Sequence, residues 1–127
     1  MIVGLGTDIV EVERIRRLVR SEAFLRKVFT EGERRYCDGK ADPALSYAAR
    51  FAAKEAVAKA LGTGFGEHCA LLDVEVVRSE SGVPGVALSG AAAGRAHVMG
   101  IADWLLSLSH TDGMAIATAL AQSRTVS

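Results

Sequence analysis

A chain of 127 residues, 50% hydrophobic and 24% charged, is long enough for one domain with a packed core and too short for two ordinary ones. Fifteen basic side chains balance fifteen acidic ones, so no global field draws nucleic acid or an anionic membrane, and any charged partner must be met locally. No apolar run reaches the about 18 residues of a membrane helix, the first residues lack a basic leader, and Cys37 and Cys69 have no metal-ligand spacing; a cytoplasmic chain with two reduced thiols is expected.

Residues 2–9 alternate around Gly4 and Gly6 and are rich in β-branched side chains, the pattern of a strand whose small residues admit another backbone or a ligand at close range. Asp8 stands at its end. Val12, Ile15, Leu18 and Val19 then recur at helical spacing with Arg14, Arg16, Arg17 and Arg20 between them, which predicts a basic amphipathic helix. A short helical stretch over 23–28 leads to Thr30 and Glu33, the T-x-x-E of a capping box, and a helix over 31–38. Asp42 is an acceptable N-cap and Pro43 suits the first helical position, so a long alanine-rich helix is predicted over 43–61, stopped by Gly62 in the left-handed conformation. Residues 72–78 and 83–88 read as strands turned about Ser81 and Gly82, with Pro84 placing the second at an edge. Ser89 is a candidate cap for a helix over 90–99 ending at Gly100. Two last strands, over 104–109 and 114–121, flank a hairpin loop with Asp112 and Gly113. This order predicts a single α+β domain over residues 1–127, a small antiparallel sheet packed against the long central helix.

In that helix Glu55 and Lys59 lie one turn apart on a face shared with Ala48, Phe51, Ala52 and Ala56. Charges among small apolar residues suggest a site; a simple i,i+4 ion pair is the structural alternative. Asp8 is the other acid that needs a partner. Two carboxylates from separate elements suit Mg²⁺, whose remaining positions go to water and phosphate oxygens, while capping of the next helix is the alternative for Asp8. Gly62, Thr63 and Gly64 could offer backbone N–H groups and a hydroxyl to phosphate, although a helix end needs such a glycine anyway and no Walker sequence occurs. Arg50 and Lys54 read as solvated cations, with an anion as the alternative partner. His110, after L-S-L-S at a strand end, is held rigidly beside the hairpin loop as either a structural or a functional histidine. Arg14, Arg16, Arg17, Arg20, Arg26 and Lys27, opposed between residues 14 and 27 only by Glu22, make a local basic cluster, either a docking surface for an acidic protein or plain solvated helix.

Three stretches, IVGLGTDIVEVERI, ARFAAKEAVAKALGTG and LSLSHTDGMAIATAL, resemble in order and spacing the signature motifs of the holo-acyl-carrier-protein synthases, the short bacterial type of 4′-phosphopantetheinyl transferase. The resemblance spans almost the whole chain. It implies that family's fold and the transfer of the 4′-phosphopantetheine group of coenzyme A to a serine of acyl carrier protein in fatty acid biosynthesis, with Mg²⁺ as cofactor and release of adenosine 3′,5′-bisphosphate. It further implies that Asp8 and Glu55 are metal ligands and, with Lys59, catalytic. Arg50, Lys59, Gly62, Thr63, Gly64 and His110 match positions lining the coenzyme A nucleotide and its phosphates. Arg14 matches an arginine of the helix that receives the acidic helix of acyl carrier protein, and Arg20 does so in an offset register. Val83 and Gly85 depart from a G-K-P-x-V stretch, and Gln122 stands near a frequent glutamate; these departures bear on substrate preference and packing. So short a chain offers little concave surface for both a dinucleotide-sized ligand and a protein, and the resemblance points to a homotrimer with sites between subunits. The rival readings are another Mg²⁺-dependent phosphate enzyme and a non-catalytic adaptor for acidic helices.

Overall fold

The computed structural model describes residues 1–124. Strand β1 (Ile2–Glu11) leads into helices α1 (Val12–Leu18), α2 (Glu22–Val28) and α3 (Glu31–Asp38), and these precede the 19-residue helix α4 (Pro43–Leu61). Strands β2 (Val74–Arg78) and β3 (Pro84–Leu88), helix α5 (Gly90–Met99) and strands β4 (Ile101–His110) and β5 (Met114–Ser123) complete the chain. The main sheet is antiparallel in the order β1-β5-β4, and β2 and β3 form a separate two-stranded ribbon. The architecture is the α+β domain expected from the sequence. Its last three residues, 125–127, lie outside the described part.

Why α4 lies on the sheet follows from side-chain size. Ala115, Ala117, Ala119 and Ala121 of β5 all face the helix and are buried, and α4 answers with Ala48, Ala52, Ala53, Ala56 and Ala60. Gly4 and Gly6 bring β1 closer still, since a Cβ on either would collide with the carbonyls of Ala60 and Ala56. The close approach expected at these glycines is therefore that of another backbone. Larger side chains, among them Phe29, Tyr47, Val57 and Leu61, fill the space beyond the small-residue seam, each worth about 1.5–3 kcal/mol on full burial.

Capping explains most element ends. Thr30 and Glu33 form the expected box on α3, and Gly62 and Gly100 close α4 and α5 at φ 76° and 73°. Other ends differ from expectation. Asp42 makes no capping bond on α4; both its oxygens accept from Arg16 instead. Ser89 does not cap α5 either; Asp73 Oδ2 accepts from Ala92 N at 3.3 Å and from Ala70 N at 3.1 Å, and that tie holds Leu71–Asp73 as a 3₁₀ turn where a strand was expected to begin. Strands β1, β4 and β5 each run longer than the alternation suggested, because ladder bonds continue to Glu11, Ile101 and Ser123.

Arg50 and Lys54, read from sequence as solvated, are buried. The 19-residue helix is covered on the faces that carry Arg50 and Lys54, and of its cations only Lys59 reaches solvent. Lys54 Nζ lies 2.7 Å from Glu33 Oε1 with both side chains fully buried, and it also donates to the carbonyls of Leu71 and Val74. Glu33 accepts in addition from Thr30 N and Val76 N, each at 2.9 Å. One ion pair thus joins α3, α4 and β2. Both thiols, Cys37 and Cys69, are buried and free.

Candidate active site

At the crossing of β1 and α4 three charged side chains converge. Lys59 Nζ donates to the carbonyl of Thr7 at 2.9 Å and to Asp8 Oδ1 at 3.0 Å. The expected alternatives for these residues are both absent: Lys59 pairs across to the strand instead of back to Glu55, and the N-cap of α1 is Glu11, three residues beyond Asp8. The reason is the close seat of α4 on Gly4 and Gly6, which brings the end of β1 within reach of the lysine. Glu55, one turn before Lys59, is half-buried and, among the described residues, has no ion-pair partner. Burial pushes its carboxyl above the usual glutamate value, Asp8 adds to the shift, and Lys59 and Arg14 oppose it. A half-buried carboxylate near a second one is a group that a further cation would stabilise.

Register places His110 on the same sheet face. Asp8 pairs with Ala117, which pairs with Leu108, and the adjacent row runs Val10, Ala115, His110. His110 is thus one row on and two strands across from Asp8, exposed at the end of β4. Gly62, Thr63 and Gly64 differ from expectation in their donors. The N–H of Gly62 bonds Lys59 O at 3.0 Å, those of Thr63 and Gly64 bond Ala58 O at 3.3 and 3.4 Å, and the Thr63 hydroxyl donates to Gly64 O at 2.9 Å. The turn spends its N–H groups on ending α4. What it leaves open is space, since nothing lies within 4 Å of a Cβ placed at Gly64.

Arg50 sits away from Asp8 and Glu55. It is 3% exposed, its guanidinium lies 3.9 Å from the centre of the Tyr36 ring, and its buried Nε has no hydrogen-bond partner. Lys40 and Arg78 also lie over that ring, at 4.5 and 5.3 Å, beside a cleft of about 200 Å³ between α3 and β2. Although burial opposes it, Lys40, Arg50 and Arg78 hold the Tyr36 phenol below the ordinary tyrosine value. Tyr36 and Arg78 had no sequence signal, because this cluster of three cations on one ring is assembled from separate elements.

Arg14 and Arg20 are exposed on and just after α1. Arg14 lies 6.0 Å from the ring of Phe51, one turn before Glu55, so the basic helix borders the carboxylates. The cluster is less basic than its sequence suggests. Arg16 is bound to Glu13 and Asp42, Arg26 to Glu22, and only Arg14, Arg17, Arg20 and Lys27 stay outside any ion pair among the described residues.

Fold and site together define a small α+β domain that presents two carboxylates and a lysine where a strand crosses a helix. Residues 4–119 match the model of the 4′-phosphopantetheinyl transferase superfamily. The chain is 50% identical over 125 residues to the holo-[acyl-carrier-protein] synthase of Anaeromyxobacter dehalogenans, covering 94% of this chain and 95% of that one. It superimposes on the holo-[acyl-carrier-protein] synthase of Neisseria meningitidis with a TM-score of 0.88 at 33% identity, covering 97% and 100% of the two chains. The Helicobacter pylori synthase, solved in complex with coenzyme A, matches with a TM-score of 0.82 at 32% identity over 93% and 99%. The chain belongs to the 4′-phosphopantetheinyl transferase superfamily and, within it, to the holo-[acyl-carrier-protein] synthases, a family of transferases.

Proposed function

We propose that this chain moves the 4′-phosphopantetheine group of coenzyme A onto a serine hydroxyl of acyl carrier protein, with Mg²⁺ held by Asp8 and Glu55, and so activates the carrier for fatty acid biosynthesis in the cytoplasm. The observation that carries this reading is Asp8 and Glu55 converging beside Lys59 at the crossing of β1 and α4. The residues fit the metal: two hard carboxylates from separate elements, one of them half-buried with no ion-pair partner among the described residues, and the other paired only with the exposed Lys59. When bound, Mg²⁺ supplies charge neutralisation on the pyrophosphate and polarises the phosphorus that is attacked.

Glu55 takes the proton of the serine hydroxyl as its oxygen bonds to the phosphorus bearing pantetheine. The P–O bond to the adenosine-side phosphate then breaks, and Lys59 holds the charge on the departing adenosine 3′,5′-bisphosphate. His110 and the open turn at Gly62, Thr63 and Gly64 flank that phosphate, and Arg50 under Tyr36 supplies a fixed positive charge for the nucleotide end. Exposed Arg14 and Arg20 attract the acidic helix of the carrier.

A homotrimer with sites between subunits is part of the same proposal, supported by the sheet face turned away from α4. Its rows are Leu5, Leu120 and Leu105, then Thr7, Thr118 and Ser107, then Ile9, Ile116 and Ser109. Leu5, Ile9 and Leu105 are 64%, 57% and 56% exposed, large apolar side chains on either side of a row of hydroxyls that a monomer would leave in water.

Intact-mass measurement of apo acyl carrier protein incubated with this protein, coenzyme A and Mg²⁺ is the test. A gain of about 340 Da that disappears with chelator is expected. Release of phosphate with the carrier mass unchanged would replace the transferase by a nucleotide hydrolase.

A further inference from the structure

We infer that the pair Arg16–Asp42 is a clamp that sets how helix α1 is presented to an acidic carrier, so that Arg16 is a positioning residue and not a docking charge. This rests on the docking role proposed for Arg14 and Arg20. Helix α1 has only seven residues, its N-cap makes no side-chain bond, and a helix so short has no stable orientation of its own. Val12 and Ile15 bury its inner face, Leu18 and Val19 pack beside them, and Val12 N donates to Gly113 O at 2.9 Å, contacts that all lie on the inner side or at the ends of the helix. The outer side is fixed by Arg16. Its Nη1 and Nη2 donate to Asp42 Oδ1 and Oδ2 at 2.9 and 3.1 Å, and its Nε donates to Glu13 Oε1 at 2.9 Å.

A planar fork engaged on both prongs fixes direction as well as distance. The other end of the clamp is rigid. Asp42 directly precedes the buried helix α4 and gives both oxygens to Arg16 in place of capping. Thus α1 is braced against the element that carries Glu55, and Arg14, Arg17 and Arg20 are left outside any ion pair among the described residues.

Charge and positioning predict opposite signs for one substitution. Asp42→Ser removes an acid beside the docking surface and frees Arg16, which on charge alone lowers the KM for an acidic carrier. The clamp predicts that this KM rises roughly threefold to fivefold, on the scale of a well-formed exposed pair. The KM for coenzyme A and kcat stay unchanged, because serine is an acceptable residue at the N-cap of α4. Arg16→Met, which touches no cap, gives the same rise, and the double variant gives no more than either single one. A carrier KM that falls or stays constant in Asp42→Ser overturns the clamp. Arg14→Glu, measured beside it, tests the underlying role separately: if that variant leaves the carrier KM unmoved, α1 is not the docking helix, whatever Asp42→Ser does.

Discussion

Glu55 carries opposite demands for folding and for chemistry. Burial raises its carboxyl above the ordinary value, so the folded chain binds that proton more tightly than the unfolded one. Stability from this group is therefore full below the ordinary glutamate pKa and declines as pH climbs from that value through the raised one. Above the raised value the ionised side chain opposes folding of the metal-free protein. Glu55→Gln is expected to raise the thermal midpoint at pH 7 in chelator and to flatten that part of the stability profile. The same change is expected to lower kcat/KM by about 100-fold or more, the scale of a lost acid–base group. A stable variant with near-normal turnover would remove Glu55 from the reaction. Cys37 shows burial acting on a thiol in the core: it is pushed up to about 12, which keeps it protonated at neutral pH.

Helix α4 does two jobs with adjacent residues. Glu55 and Lys59 face the site, while Lys54, the residue before Glu55, turns inward to the buried Glu33. Removing one partner leaves a buried charge, so Lys54→Met is expected to destabilise the fold by about 3–5 kcal/mol in urea unfolding. The double variant Lys54→Met with Glu33→Gln should lose less than the sum of the two single changes, since neither charge is then left alone. The basic helix α1 is the opposite case. Its inner face is buried through Val12 and Ile15, and what Arg16 adds is direction.

Assembly belongs to the whole molecule. The outer rows of the β1-β5-β4 sheet form an apolar surface that the helices do not cover. Leu105→Glu places a charge on that surface without touching Asp8, Glu55 or Lys59. If copies of this chain meet there, the variant sediments as a smaller species at the same concentration, and transferase activity falls with the fraction dissociated. An unchanged sedimentation coefficient would assign the oligomer, if any, to another face.

The helix 43–61, its glycine stop and the capping box were legible in the sequence because propensity, capping and periodicity are local properties that neighbouring residues decide. Asp8, Glu55 and Lys59 were legible as candidates for a related reason: charges set among small apolar residues stand out wherever the fold places them. What each of them touches was not legible. Lys59 could pair with Glu55 or with something distant, and only the seating of α4 on Gly4 and Gly6 sent it to Asp8 and Thr7. Likewise Arg16 and Lys54 read as surface charge until tertiary packing supplied Asp42 and Glu33 as partners. The sequence by itself determined the elements and the chemical groups available. The tertiary structure decided which charges meet, because a side chain's partner depends on where another segment crosses it and on how much water that crossing leaves.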